Sequence, residues 1–76
     1  MESLSKNLFT LRKAKGVSRE AVSRALEIST KSYERYEKNE REPGATLLVK
    51  LAEYYGVTLD QLVGRAPLPE NPDKGA

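Results

Sequence analysis

The chain has 76 residues, no cysteine, no histidine and a formal net charge of +2. A chain of this length makes one small domain, whose core is too limited to enclose an active-site cavity of ordinary size. Without cysteine it has neither disulfides nor thiolate metal sites, and without histidine it lacks the commonest general base and metal ligand. We therefore expect no metal, no cofactor and no enzymatic activity.

Basic side chains are concentrated in the first third of the chain. Residues 1–26 carry six basic side chains and two acidic ones, whereas the rest of the chain has a net charge of −2. A basic region of this kind can attract a polyanion, although a run of charge is usually only a solvated face.

The N-terminal sequence, MESLSKNLFTLRKAKG, lacks the apolar segment of a signal peptide. No apolar run approaches the length that a membrane span requires. We expect a soluble, cytoplasmic protein without a membrane partner.

Two helices are predicted in the basic region. The first has leucines at helical spacing and ends at a glycine; these residues are Leu4, Leu8, Leu11 and Gly16. Ser18 can cap the second helix, because a serine oxygen can accept a hydrogen bond from a free backbone N–H of the first turn. The expected buried side of the second helix consists of Ala21, Val22, Ala25 and Leu26.

Three more helices are predicted before the chain becomes rich in proline. Ser29 can cap the third, and a polar break at residues 39–44 separates it from a fourth helix at residues 45–55. The fourth is expected to bury Leu48, Leu51 and Ala52, and to end at Gly56. Thr58 and Gln61 have the spacing of a capping box, which predicts a short fifth helix that stops at Gly64. Residues 65–76 contain three of the four prolines and are expected to form a disordered tail.

The third helix has two unlike faces. At about 100° per residue, one side carries Ser29, Tyr33, Tyr36 and Glu37, and the other carries Lys31, Glu34, Arg35 and Lys38. The tyrosine spacing favours burial over stacking on nucleic-acid bases. An exposed helix with basic and hydrogen-bonding side chains, preceded by another helix across a three-residue turn, suits a reader of the DNA major groove.

Several segments follow one known pattern in order: LRKAKGVSREAVS, ALEIS, TKSYERYEKN, REPG and, most specifically, LVKLAEYYGVTLDQLVG. From Leu8 to about Gly64 the chain resembles the lambda-repressor-like, or Xre and Cro type, helix-turn-helix domain. The resemblance implies an all-α, five-helix domain at residues 1–64, followed by the flexible tail.

The resemblance also implies roles for individual residues. Those at base-reading positions are Thr30, Lys31 and Arg35, with Glu34 adjacent. Arg35 and Lys31 can donate to guanine, whereas Glu34 either accepts from cytosine or only pairs with Lys38 or Arg35. Those at phosphate-binding positions are Arg19, Lys38, Asn39 and Arg41. Arg12 and Glu37 match a structural ion pair between the first and third helices.

Three departures from the family pattern concern the DNA-facing region. Arg19 stands where the family usually has glutamine, so a cation replaces a neutral donor. Glu27 stands at the usual glycine of the turn, where left-handed geometry costs a non-glycine residue on the order of 1 kcal/mol, which leaves room for a differently shaped turn. Asn39 replaces the glycine after the third helix, an exchange that left-handed geometry tolerates.

Two functions from different classes are consistent with these features. The first is a bacterial or phage, nucleoid-associated regulator, most often a repressor in this family, that binds double-stranded DNA as a homodimer on an inverted repeat. Its expected interface is Leu59, Leu62 and Val63, unless these residues only close the monomer core, as is most expected for Leu62. The second is an antitoxin or adaptor that binds a protein partner through the fifth helix or the tail, an alternative that the acid-rich residues 27–42 keep open.

Overall fold

A computed structural model describes residues 1–70, and in that range the chain forms five α-helices and no strand. The helices are α1 (Glu2–Lys15), α2 (Arg19–Leu26), α3 (Thr30–Glu37), α4 (Ala45–Tyr55) and α5 (Leu59–Leu62). The predicted all-α, five-helix architecture is confirmed. None of the described helices has the length and apolarity to cross a membrane. Residues 71–76, where the predicted disordered tail ends, lie outside the described residues.

The predicted helix starts are confirmed by their caps. The hydroxyls of Ser18 and Ser29 each accept a hydrogen bond, 3.0 Å long, from the backbone N–H three residues further on. Thr58 and Gln61 form the full capping box, in which each side chain bonds to the other residue's backbone N–H at 3.0 and 2.9 Å. Such caps satisfy N–H groups that have no partner inside the helix, so α2, α3 and α5 begin where the sequence predicts.

Two non-glycine residues adopt left-handed backbone geometry at the ends of α2 and α3. Glu27 has a φ of 58° and Asn39 a φ of 60°. The turn between α2 and α3 therefore keeps the left-handed geometry that glycine favours. The differently shaped turn that Glu27 left open does not form. Glu27 bears the conformational cost of that geometry, on the order of 1 kcal/mol.

The core draws on all five helices. It consists of Leu4, Leu8, Leu11, Val22, Leu26, Tyr33, Tyr36, Leu51, Ala52, Tyr55 and Leu62. Three predicted core positions differ: Ala21 and Leu48 are only half-buried, and Ala25 is exposed. Val22 and Leu26, four residues apart, form the buried stripe of α2, which leaves Ala25 at the solvent border of this short helix.

Side chains of α1 hold the C-terminal ends of α3 and α5 by hydrogen bonds to their backbone carbonyls. Ser5 Oγ donates to the carbonyl of Tyr36 in α3 at 2.8 Å. Asn7 Nδ2 donates to the carbonyls of Gln61 and Leu62 at 3.0 and 3.1 Å. Helix α5 has only four residues and is too short to be stable alone, so these contacts and the burial of Leu62 fix its position.

The burial of Leu62 agrees with the alternative that this residue closes the monomer core and excludes it from the expected interface. Its side chain is completely buried within the monomer, so Leu62 cannot serve as an interface residue without unfolding α5. Tyr55, the last residue of α4, is also buried. By contrast, Leu59 is 44% exposed and Val63 is partly exposed, so these two remain available.

The first part of the predicted tail is not wholly detached from the domain. Residues 65–70 contain no helix or strand, but Leu68 is partly buried and packs against the core. Leu68 is therefore an exception within the segment that was predicted to be a disordered tail.

Candidate nucleic-acid interface

Helices α2 and α3 pack against each other and are joined by the three residues 27–29. Tyr33 and Tyr36 point into the core, which turns the opposite face of α3 toward solvent. Thr30, Lys31 and Arg35 are exposed on that outer face. The structure thus brings three of the predicted base-reading residues together on one accessible helix surface.

Lys31 and Arg35 dominate the chemistry of this surface. They lie four residues apart, which places them one turn from each other on the same side of α3. Neither forms an ion pair with any residue in the part of the chain that the structure describes. Both are long, donor-only side chains, so α3 offers cationic donors that are free to meet hydrogen-bond acceptors.

No group of acidic side chains in residues 1–70 is arranged to hold a metal ion.

Glu34, the acidic residue beside them, is engaged with two cations. Its Oε2 lies 3.4 Å from Arg19 Nη1 and 3.4 Å from Lys38 Nζ. The side chain is about one-third exposed. Pairing with Lys38 is therefore observed, and the other partner is Arg19 rather than Arg35. To accept a hydrogen bond from cytosine, Glu34 would have to give up part of this pairing.

Glu37 is the buried centre of the ionic network. Arg12 Nε donates to its Oε2 at 2.6 Å and Arg12 Nη2 to its Oε1 at 3.2 Å. Arg19 Nε also donates to Oε1, at 3.1 Å. The side chain of Glu37 is 1% exposed, that of Arg12 10% and that of Arg19 32%. The pair between Arg12 and Glu37 has the geometry that the sequence led us to expect, but Arg19 is a second partner that the sequence did not indicate.

The ionisation of Glu37 is determined by competition between burial and its donors. Burial raises the pKa of Glu37, but the hydrogen bonds from Arg12 and Arg19, helped by the nearby Tyr33 hydroxyl, outweigh it, so the pKa lies below its ordinary value of 4.5. The hydrogen bond to Glu37 raises the pKa of Arg12. Both groups are therefore charged at neutral pH, and the pair joins α1 to the end of α3.

The tyrosines behind this pair are kept neutral. The hydroxyls of Tyr33 and Tyr55 lie 2.7 Å apart, which ties α3 to α4. Burial is the main cause that raises the pKa of both phenols above the ordinary value of 10.0. They therefore serve as neutral hydrogen-bonding groups that fix the inner side of α3.

The four predicted phosphate-binding residues differ in how free they are. Arg19 is tied to both acids of α3, whereas Lys38 is half exposed and only paired with Glu34. Asn39 Oδ1 accepts a hydrogen bond from the Met1 ammonium group at 3.2 Å, which leaves its amide NH₂ group available as a donor. Arg41 is exposed and lies further along the loop.

Three of these four residues line an open groove, which we call the α1–α3 groove. Its lining includes Lys6, Phe9 and Thr10 from α1, together with Arg19, Lys38 and Asn39. Sequence reasoning assigned no role to the three residues of α1. The available signal was Phe9, an aromatic side chain that falls outside the buried leucine stripe of α1 and is 46% exposed.

Comparison with known proteins finds one matching family and a similar regulator of transcription. The sequence pattern of the helix-turn-helix family matches residues 8–62. The chain is also 32% identical, over 63 residues and 83% of its length, to the HTH-type transcriptional regulator ImmR of Bacillus subtilis (strain 168). The matched region is 50% of that protein, so the chain spans about half the length of this relative.

Proposed function

The chain belongs to the helix-turn-helix family, and from that premise we propose that it is a sequence-specific regulator of transcription that binds double-stranded DNA. The single observation that carries this proposal is the exposed outer face of α3, with Lys31 and Arg35 one turn apart. The opposite face of α3 is fixed by the buried tyrosines and by Glu37. A helix held in this way can enter the major groove and present donors at defined positions.

Base reading is assigned to Thr30, Lys31 and Arg35. Arg35 and Lys31 donate to guanine O6 and N7, and each good contact of this kind discriminates against a wrong base by about 1–3 kcal/mol. Thr30, at the start of α3, bonds to a base edge or touches a thymine methyl group. Glu34, which is paired with two cations, contributes chiefly by holding Arg19 and Lys38 in place.

Phosphate binding is assigned to the residues around the ends of α2 and α3. Lys38 and Arg41 contribute charge, Asn39 contributes its amide donors, and Arg19 contributes the part of its guanidinium that remains exposed. Contacts of this kind position a protein on the duplex and carry no sequence information.

Assembly as a homodimer completes the proposal. One domain of this size reads only a few base pairs, too few to find a site among roughly a million or more competitors. A twofold dimer on an inverted repeat, with half-sites about one or more turns of ~10 bp apart, solves this problem. The exposed apolar side chain of Leu59 and the partly exposed Val63 support an interface at α5.

Repression is the regulatory mode that we propose, because occupying an operator is enough to block transcription and requires no further activity. The protein acts in the cytoplasm of a bacterium, or of a bacterium that carries a phage, in association with the nucleoid. It works as a binding protein rather than as an enzyme. The name of the similar Bacillus subtilis protein supports the regulatory role.

A gel-shift selection against a random duplex pool, run at low and at near-physiological salt, tests this function. The proposal predicts that repeated rounds enrich an inverted repeat, and that the enriched duplex survives the higher salt better than the starting pool. If the recovered duplexes share no common sequence and dissociate at the higher salt as readily as the starting pool, the protein does not recognise a specific sequence. Failure to bind any duplex would favour a protein partner instead.

A further inference from the structure

The α1–α3 groove has no part in base reading as proposed above, yet it adjoins the reading helix. One wall is a face of α1 with Lys6, Phe9 and Thr10, and the other is formed by Arg19, Lys38 and Asn39. The second wall consists of residues to which the proposed function assigns phosphate contacts. The first wall faces the same open space, so whatever binds those residues from within the groove also meets α1.

The charges around the groove favour an anion. Lys6, Arg19 and Lys38 contribute three cations to its lining. Arg19 and Lys38 are each paired with Glu34, whereas Lys6 forms no ion pair within residues 1–70. Glu37 also borders it, but that carboxylate is paired with Arg12 and Arg19, so it adds no free negative charge. Glu2 is the other acid at the edge. Thr10 and Asn39 add neutral hydrogen-bonding groups, which are common partners of phosphate oxygens.

Phe9 gives the groove an apolar surface that a site for bare phosphate would not need. Its ring is 46% exposed, with Arg12 Cζ 5.7 Å and Lys13 Nζ 5.5 Å from the ring centroid. Both cations lie within the range of cation–π attraction. Arg12 is paired with Glu37, so Lys13 supplies the uncompensated positive charge beside the ring. An apolar face next to cations matches a deoxyribose next to its phosphate.

We propose that the α1–α3 groove seats a sugar-phosphate segment of the DNA backbone, so that the DNA-binding surface extends from α3 onto α1. Phe9 packs against a deoxyribose, and Lys6 and Lys38 bind the adjoining phosphate from the two walls. This inference rests on the proposed function, because it requires a duplex on the outer face of α3. An acidic peptide of a protein partner is the competing occupant.

The first test compares three variants of the full chain on the duplex enriched from the random pool and on an unrelated duplex. Lys6→Gln removes one groove cation, Phe9→Ala removes the aromatic face, and Lys50→Gln is the control. Lys50 is an exposed cation outside the groove, in a depression that it shares with Glu27 and Glu53. Lys6 and Phe9 are both exposed, and circular-dichroism melts verify that the variants remain folded.

Fluorescence anisotropy over a range of salt concentrations gives the affinities. Lys6→Gln should weaken binding to both duplexes by a similar factor, about five- to tenfold near 0.1 M salt, and should reduce the salt slope by about one. Phe9→Ala should weaken both without changing the slope, because it removes no charge. Lys50→Gln should change neither.

A second measurement locates the contact on the DNA. Single neutral methylphosphonates are placed at each position of the enriched half-site in turn. The proposal predicts one position at which neutralisation weakens the wild-type protein but not Lys6→Gln, since that variant has already lost the contact.

The outcomes separate this inference from the function on which it rests. Suppose that Lys6→Gln and Phe9→Ala bind both duplexes within twofold of the wild type, while Arg35→Ala still loses its preference for the enriched sequence. The groove then does not bind the DNA backbone, and base reading by α3 still stands. That result is also the one expected if the groove holds an acidic peptide. If the wild-type protein binds no duplex, the proposed function and this inference fail together.

Discussion

Arg19, the first residue of α2, and Glu37, the last residue of α3, are joined by a hydrogen bond of 3.1 Å between Nε and Oε1. The guanidinium also reaches Glu34, one turn earlier in α3. Arg19 therefore links α2 directly to α3. A glutamine, which the family usually has at this position, could not supply a charge to two carboxylates. The orientation of α3 depends on Arg19 as well as on Arg12.

Replacing Arg12 with methionine should destabilise the fold. The side chain of Glu37 is 1% exposed, so it would keep only the partly exposed Arg19 as an ionic partner. We expect a loss of about 2–4 kcal/mol in the free energy of unfolding, measured by urea denaturation. Replacing Glu37 with leucine in the same chain should recover much of the loss, because no unpaired buried charge would remain. A cost below about half a kcal/mol would mean that the pair contributes no more than an exposed ion pair.

The lowered pKa of Glu37 predicts a specific loss of stability in acid. A carboxyl group whose pKa is lower in the folded than in the unfolded chain contributes its full stabilisation above its unfolded pKa. That contribution is lost as the pH falls below about 4.5 toward the folded pKa. The stability difference between the wild type and Glu37→Gln should therefore be largest at neutral pH and should shrink as the pH falls. Denaturation at a series of pH values measures it, and a difference that is constant down to pH ~3 would show that the pKa of Glu37 is not lowered.

Glu27 is a position where a smaller residue should stabilise the protein. Its φ of 58° lies in the left-handed region, which glycine adopts without steric cost. Glu27→Gly should raise the free energy of unfolding by about 0.5–1 kcal/mol. Glu53→Gly, at an exposed site within α4, is the matched control and should lower it by a similar amount. A destabilised Glu27→Gly protein would show that the glutamate side chain makes a contribution larger than the strain.

A substitution at Leu59 can test the proposed dimer interface without changing the stability of the monomer. Leu59 is 44% exposed and Val49, in α4, is 42% exposed, so glutamate at either position should leave the monomer folded. Leu59→Glu should abolish self-association in sedimentation experiments and weaken operator binding, whereas Val49→Glu serves as the surface control. Leu62→Ala should instead cost about 2–5 kcal/mol of stability, because its side chain is in the core. A Leu59→Glu protein that still sediments as a dimer would contradict an interface at α5.

The parts of the fold that the sequence predicted are those determined by local contacts. Ser18, Ser29 and Thr58 cap helices through bonds that span three residues, so both partners can be recognised within one short segment. The leucine spacing of α1 likewise identifies its buried face without knowledge of the partner helices. The element order follows from these signals.

The parts that the sequence did not predict depend on contacts between distant residues. Arg19 bonds to Glu37, 18 residues away in the sequence, and Asn7 bonds to the carbonyl of Gln61, 54 residues away. The spacing of residues within a helix cannot predict such long-range pairs. The groove beside Phe9 exists only because the end of α3 packs near α1. Leu62 illustrates the same limit, since an apolar residue in a short helix can face either a partner or its own core.

In the proposed function, α3 reads bases through Arg35 and Lys31, whereas Lys38 binds only phosphate. Binding of wild-type, Arg35→Ala and Lys38→Ala proteins to the enriched duplex and to an unrelated duplex, followed over a range of salt concentrations, tests it most directly. Arg35→Ala should lose about 1–3 kcal/mol on the enriched duplex only and should relax the preference at one base pair. Lys38→Ala should weaken both duplexes alike and reduce the salt slope by about one. Equal losses on both duplexes in both variants would contradict base reading by α3.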